Sequence, residues 1–245
     1  MNLRRIYPEP DPGDPDEPID TEAEDARARI AELYEPQSPE WLRLNLVQSV
    51  DGSARGADGT SHALSSQPDR AILGAIRSLS DIVLIGAETL RAERYLLPQN
   101  QRLAVLTHSG DLTGAKTKDP LPEDRILVLG PAAAEARARE TFVTAFTYVT
   151  LPDGQDGSLD VRGVIDALRD RSAPRIVCEG GPRLAQELLT AGIVDELCLT
   201  TSPRLVGGAF PVLGRESIEE QTLALGQLLV DDAGSIYARW FPASR

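Results

Sequence analysis

The chain has 245 residues, enough to bury one substantial core, and its 41% hydrophobic and 26% charged residues are ordinary for a water-soluble globular fold. Its formal net charge of −13 argues against non-specific nucleic-acid binding, and no run is long and apolar enough to span a membrane. Two cysteines without C-x-x-C spacing, and two distant histidines (His62 and His108), give no expectation of a metal centre.

The charge is unevenly spread. Residues 8–25 hold nine acids and no base, so residues 1–40 read as an acidic, proline-rich arm, mobile in part, ahead of one domain over 41–245. No apolar segment follows Arg4 and Arg5, so a secretory signal is not expected and a cytoplasmic location is. WLRLNLVQ (41–48) reads as a strand, with a long polar loop rich in Gly, Ser and Asp after it. SQPDRAILGAIRSL (66–79) reads as a helix: Ser65 or Ser66 caps it, Pro68 and Asp69 suit its first turn, and Ile72, Leu73, Ile76 and Leu79 form its apolar face. Strands are predicted over 81–86, 102–107, 125–130, 146–151, 175–180 and 194–203, and helices over 87–95, 132–142, 160–171 and 182–192. Cys178 and Cys198 lie inside apolar strands as small buried side chains. The segments 221–232 and 235–242 read as an antiparallel pair. Alternation of this kind specifies an α/β fold: a mostly parallel central sheet flanked by helices, with an antiparallel C-terminal strand pair.

Three strands end in turns that suit an anion. In VLIGAETLRAE, Gly86 closes a strand and Thr89 lies in the first turn of the next helix. In AVLTHSG, Thr107, Ser109 and Gly110 supply small polar groups. In IVCEGGPRL, Gly180 and Gly181 bare the backbone before a helix opened by Pro182, which has no amide to lose there. The first amides of a helix lack partners within it, and the dipole adds positive potential. Each turn taken alone reads more readily as a bare turn; only their combination on one sheet end makes a crevice for a dinucleotide.

With NLVQSVDGSAR (45–55), DIVLIGAETLRAE (81–93), VLTHSG (105–110), EGGPRLAQELL (179–189) and VDELCLTTSPRLVGG (194–208) in this order, the chain resembles the reductase half of the bifunctional riboflavin-biosynthesis deaminase-reductases, a stand-alone pyrimidine reductase type with a dihydrofolate-reductase-like fold. The resemblance implies NADPH as cofactor, its phosphates meeting Gly86, Thr89, Gly180, Gly181, Pro182 and the helix amides from Arg183 and Leu184 onward. Thr107 and Ser109 would lie near the adenosine ribose and its 2′-phosphate, with Arg91 and Arg94 adding charge. On the substrate side it implies Asp51, Ser49 and Asn45. Glu179, in a deep position, either contacts ligand or supports the loop. The implied reaction carries a hydride to the sugar C1′ of a pyrimidine ribosylamino phosphate.

The sequence also departs from that family. No H-x-E with P-C-x-x-C occurs, so zinc-dependent deamination is not expected. The D-x-P-x-L-T-x-R-like segment that meets the phosphorylated sugar is replaced by RAERYLLPQNQR, with Arg94 and Tyr95 at the acid-proline positions, and A-L-S (63–65) replaces W-I-T/S. A dihydrofolate or other pterin reductase therefore stays open beside the pyrimidine reductase, and a non-catalytic NADPH-binding regulator comes third. A homodimer is expected through a sheet edge offered by the late strands.

Overall fold

Eleven strands form one sheet in the computed structural model, which describes residues 1–9, 17–93, 100–115, 123–152, 159–208, 210–214 and 218–243. The strands are β1 (Asn2–Tyr7), β2 (Ile19–Asp20), β3 (Trp41–Ser49), β4 (Ile82–Gly86), β5 (Arg102–Leu106), β6 (Ile126–Pro131), β7 (Thr147–Leu151), β8 (Arg175–Cys178), β9 (Glu196–Ser202), β10 (Leu223–Asp231) and β11 (Ile236–Pro242). The helices are α1 (Ala26–Leu33), α2 (Gln67–Ser78), α3 (Ala87–Ala92), α4 (Glu135–Thr141), α5 (Val161–Arg169) and α6 (Pro182–Thr190). The order across the sheet is β2-β1-β10-β11-β9-β3-β8-β4-β5-β6-β7. From β9 to β7 every pairing is parallel, whereas β11, β10, β1 and β2 join antiparallel, so the expected fold class is the observed one.

The central strands are apolar at consecutive positions because both faces are covered. Val83, Ile85, Val105 and Val177 point to the layer holding Ile30 of α1 and Ile72 and Ile76 of α2. Ile82, Leu84, Ala104 and Ile176 point to the opposite layer, holding Val164 and Leu168 of α5 and Leu184 and Leu188 of α6. Helix α2 begins as its sequence indicates: the Ser66 side chain accepts from the Asp69 amide, and proline sits in the first turn. Leu73, expected on the buried face of that helix, is only half-buried.

Two expectations change. The domain does not start at residue 41: β1 pairs along β10, with Leu3 opposite Asp231, and Leu3, Ile19, Ala26, Ile30 and Tyr34 are buried core residues. Burial of these five side chains outweighs the acids between them, of which Glu17, Asp20, Glu22, Glu24 and Asp25 are exposed. Part of the acidic run, residues 10–16, lies outside the described residues. The late strands also offer no open edge, because β1 covers the outer side of β10 and β11 lies between β10 and β9.

Candidate active site

Parallel strands β3, β8 and β4 end together, and beyond their carboxyl ends lies a cavity of about 480 Å³. The chain leaving β8 stays bonded to β4: the Glu179 amide donates to the Leu84 carbonyl, and the Gly86 amide donates to the Gly180 carbonyl, both at 3.0 Å. These bonds set the first and third glycine turns side by side. A Cβ added at Gly181 would stand 3.2 Å from Thr89 Oγ1, and one at Gly86 would stand 3.8 Å from the Gly181 amide nitrogen. Gly180 has φ +105°, a conformation that L residues rarely adopt, and its peptide bond to Gly181 is cis. Gly181 is the N-cap of α6 and brings no capping side chain, so the amides of Arg183 and Leu184 face outward without an intrahelical partner.

Of the residues named from sequence, Asn45, Thr89, Glu179, Gly180, Gly181 and Pro182 line this cavity, and Gly86 abuts it through Gly181. Arg183 offers only its backbone, since its side chain turns outward to Glu187 at 2.9 Å. The Leu184 side chain is core. Thr107 and Ser109 follow β5, one strand beyond β4, and do not line the cavity; their hydroxyls accept from the Gly110 and Asp111 amides. Arg91 donates to the Asp111 carbonyl, and Arg94 and Tyr95 lie outside the described residues.

Ser49 and Asp51 also stand outside the lining. The exposed Asp51 carboxylate accepts from Ser49 Oγ at 2.5 Å and from the Gly207 amide at 2.7 Å, with Val206 at 3.3 Å. The Ser49 bond, opposed by desolvation and helped by these amides, holds the carboxyl below the usual aspartate range. Asp51 thus ties the turn after β3 to the loop after β9. Asp51→Asn is expected to lower turnover less than about tenfold and to leave dinucleotide affinity unchanged, because it loosens a loop and removes no cavity contact. Steady-state kinetics and a binding titration on one preparation check this.

Glu179 has a protein partner. Arg77 of α2 meets it with two 2.6 Å hydrogen bonds, Nε to Oε1 and Nη2 to Oε2. The side chains are 19% and 7% exposed, so the pair braces the diglycine turn against α2 from a largely desolvated position.

Sequence reading missed the contribution of α2. Asp69, Arg70, Leu73, Gly74 and Arg77 all line the cavity, a second stripe at helical spacing beside the apolar one. The signal was present in that spacing, but charged residues next to an apolar stripe read as solvated. Asp69 accepts from Ser65 Oγ at 2.6 Å and from Thr200 Oγ1 at 2.8 Å, and burial pushes its carboxyl above the usual aspartate range against those bonds. Arg70 has no ion pair among the described residues, whereas Arg55 on the opposite wall pairs with Glu88 at 2.7 Å. Among the described residues no group of acids, cysteines and histidines could hold a metal ion, and no helix is long and apolar enough to cross a membrane.

An open α/β sheet with a bare-backbone turn and a cavity at its parallel strand ends is the arrangement in which α/β folds hold ligands. The chain belongs to the RibD C-terminal domain family, whose model matches residues 40–236. It is 28% identical over 178 residues to the riboflavin biosynthesis protein RibD of Mycobacterium tuberculosis, covering 72% of this chain but only 46% of that protein. It is 26% identical over 202 residues to the 2,5-diamino-6-ribosylamino-4(3H)-pyrimidinone 5′-phosphate reductase of Methanothermobacter thermautotrophicus, covering 76% of this chain and 88% of that one. In fold it is similar to a pyrimidine reductase-like protein from Corynebacterium diphtheriae, with a TM-score of 0.73, 23% identity, and coverage of 89% of this chain and 99% of the other.

Proposed function

We propose that the protein is an NADPH-dependent reductase acting on a pyrimidine ribosylamino phosphate. The observation that carries this reading is the single cavity shared by the diglycine turn of β8–α6 and the polar stripe of α2. The bare backbone at Gly180 and Gly181, the outward amides of Arg183 and Leu184, and the Thr89 hydroxyl suit a pyrophosphate. Thr107 and Ser109, at the next strand end, are left for the adenosine ribose and its 2′-phosphate. Bound NADPH supplies the hydride delivered to the sugar C1′.

The protein's own residues position and desolvate. Asn45 lines the cavity with no side-chain hydrogen bond among the described residues, which leaves its amide to the substrate. Arg70, with a 3.4 Å hydrogen bond to the Ser65 carbonyl and no ion pair among the described residues, offers its guanidinium to the substrate phosphate. Arg77 and Glu179 keep the turn and α2 in register, so cofactor and substrate meet at fixed separation.

The test is NADPH oxidation with a panel of the two ribosylaminopyrimidine phosphates (2,5-diamino-pyrimidinone and 5-amino-uracil forms), dihydrofolate and dihydropterins, with NADH as the cofactor control. Turnover of a ribosylaminopyrimidine supports the reading. Turnover of dihydrofolate alone moves the protein to folate chemistry, and NADPH binding without any turnover makes it a regulator. A homodimer rests on the family resemblance alone, now that β1 covers the edge first assigned to it; a monomer by light scattering would remove it.

A further inference from the structure

We propose that Asp69 is the proton donor of the reaction, placed in the cavity by α2 to protonate the substrate's ring oxygen. This rests on the reductase reading above. Reduction of a ribosylamine to a ribityl chain must break the bond between C1′ and the ring oxygen, O4′. That oxygen leaves as an alkoxide unless a proton reaches it. The balance is one proton to O4′, making the 4′-hydroxyl, and one hydride from the reduced nicotinamide to C1′. Loss of O4′ leaves C1′ doubly bonded to the exocyclic nitrogen as an iminium, which takes up the hydride.

Asp69 has the placement for this. It lies on the cavity wall, on the same helix face as Arg70, and both its carboxyl oxygens are held by short hydrogen bonds. Ser65 Oγ also lies 3.5 Å from the Ser66 carbonyl, so it can turn its proton there and accept from a protonated Asp69. Thr200 on β9 fixes the other oxygen. Arg70 on α2 favours the ionised form, while Asp231 on β10 disfavours it, and burial is the largest influence, favouring the protonated acid. Tyr237 on β11 is engaged elsewhere, donating to Asp231 at 2.7 Å and lying 2.9 Å from Ser66 Oγ. The other carboxylates on the wall each meet a donor that cannot accept a proton in return: Glu179 pairs with the Arg77 guanidinium, and Glu93 accepts from the Ser61 amide as well as its hydroxyl. Asp51, the carboxylate first assigned to the substrate, stands outside.

The sign of the pH dependence follows. A general acid works in its protonated form, so turnover is lost as pH rises through the raised pKa of Asp69. The same shift affects stability. Retention of the proton favours the fold below the ordinary aspartate range, and that contribution disappears as pH rises through the folded-state pKa.

The test uses the purified full chain with NADPH and each ribosylaminopyrimidine phosphate. Asp69→Asn is expected to lower kcat about 100-fold, to abolish the alkaline limb of the kcat profile, and to leave NADPH affinity unchanged. Asp69→Glu should recover part of kcat with the limb displaced. A second readout needs no turnover: in denaturant titrations of the unliganded protein from about pH 4 to pH 8, wild type should lose stability relative to Asp69→Asn as pH rises. An Asp69→Asn protein that keeps wild-type kcat and pH profile overturns the assignment while the reductase reading stands. So does a stability difference that does not change with pH. A wild type inactive on both pyrimidines overturns the reductase reading and the assignment with it.

Discussion

Glu196→Ala is expected to remove about 3–5 kcal/mol of stability at neutral pH, a large part of the 5–15 kcal/mol typical of a domain. Glu196 is fully buried, at the amino end of β9. Arg43 of β3 approaches it at 2.7 Å, Arg239 of β11 donates to its other oxygen, and Trp41 Nε1 donates at 2.8 Å. Those arginines reach onward to the carbonyls at the end of α1, Arg43 to Tyr34 and Arg239 to Leu33. Removing the carboxylate leaves two buried guanidiniums without their anion and loosens the seat of α1 in the same step. Burial works against ionisation of Glu196, but Arg43 and Arg239 outweigh it and hold the carboxyl below the usual glutamate range. A lowered folded-state pKa means that the contribution is present above the ordinary glutamate range and is lost as pH falls through the folded value. The gap between wild type and Glu196→Ala in urea titrations should therefore narrow in acid. A gap below about 1 kcal/mol at pH 7 would show the cluster to be near neutral.

Gly181→Asp is expected to weaken NADPH binding roughly 1000-fold, about 4 kcal/mol, with little loss of fold. Aspartate is a good N-cap, so α6 itself accepts the change. The new Cβ needs a shift of a few tenths of an ångström by the Thr89 hydroxyl, which stands 3.2 Å away. The carboxylate, however, takes the place offered to pyrophosphate and consumes the amides of α6, and like charges so placed cost several kcal/mol. Fluorescence titration with NADPH measures the loss, and circular dichroism of the same sample confirms the helix content. Wild-type affinity in a folded Gly181→Asp protein would move the cofactor off this turn.

From residue 41 onward the architecture was legible because strand and helix periods alternate cleanly. Ile82–Gly86 and Arg175–Cys178 are apolar at nearly every position, as only a doubly covered strand can be. Residues before 41 were misread because a count of acids hid the spacing of Ala26, Ile30, Leu33 and Tyr34, which is that of a helix face. The glycine turns of the candidate site were legible, since backbone exposure is written in residue type. The partners of its charged groups were not. Arg77 and Glu179 are 102 positions apart, and nothing local to either says they meet. Asp51 illustrates the reverse: a D-G turn beside a polar strand end suggests a ligand, yet its acceptors are filled by Ser49 and by amides 155 and 156 residues on.

The pairing of β1 with β10 has a bearing on how the protein is made. Leu3 must wait for Asp231, and at ribosomal speeds of about 5–20 residues per second that delay is roughly ten seconds or more. The antiparallel flank of the sheet closes through segments far apart in the chain, after the parallel centre has had time to assemble. Until then the apolar side of β1 is bare, and the nine acids that follow it keep that waiting segment in water and away from neighbouring chains.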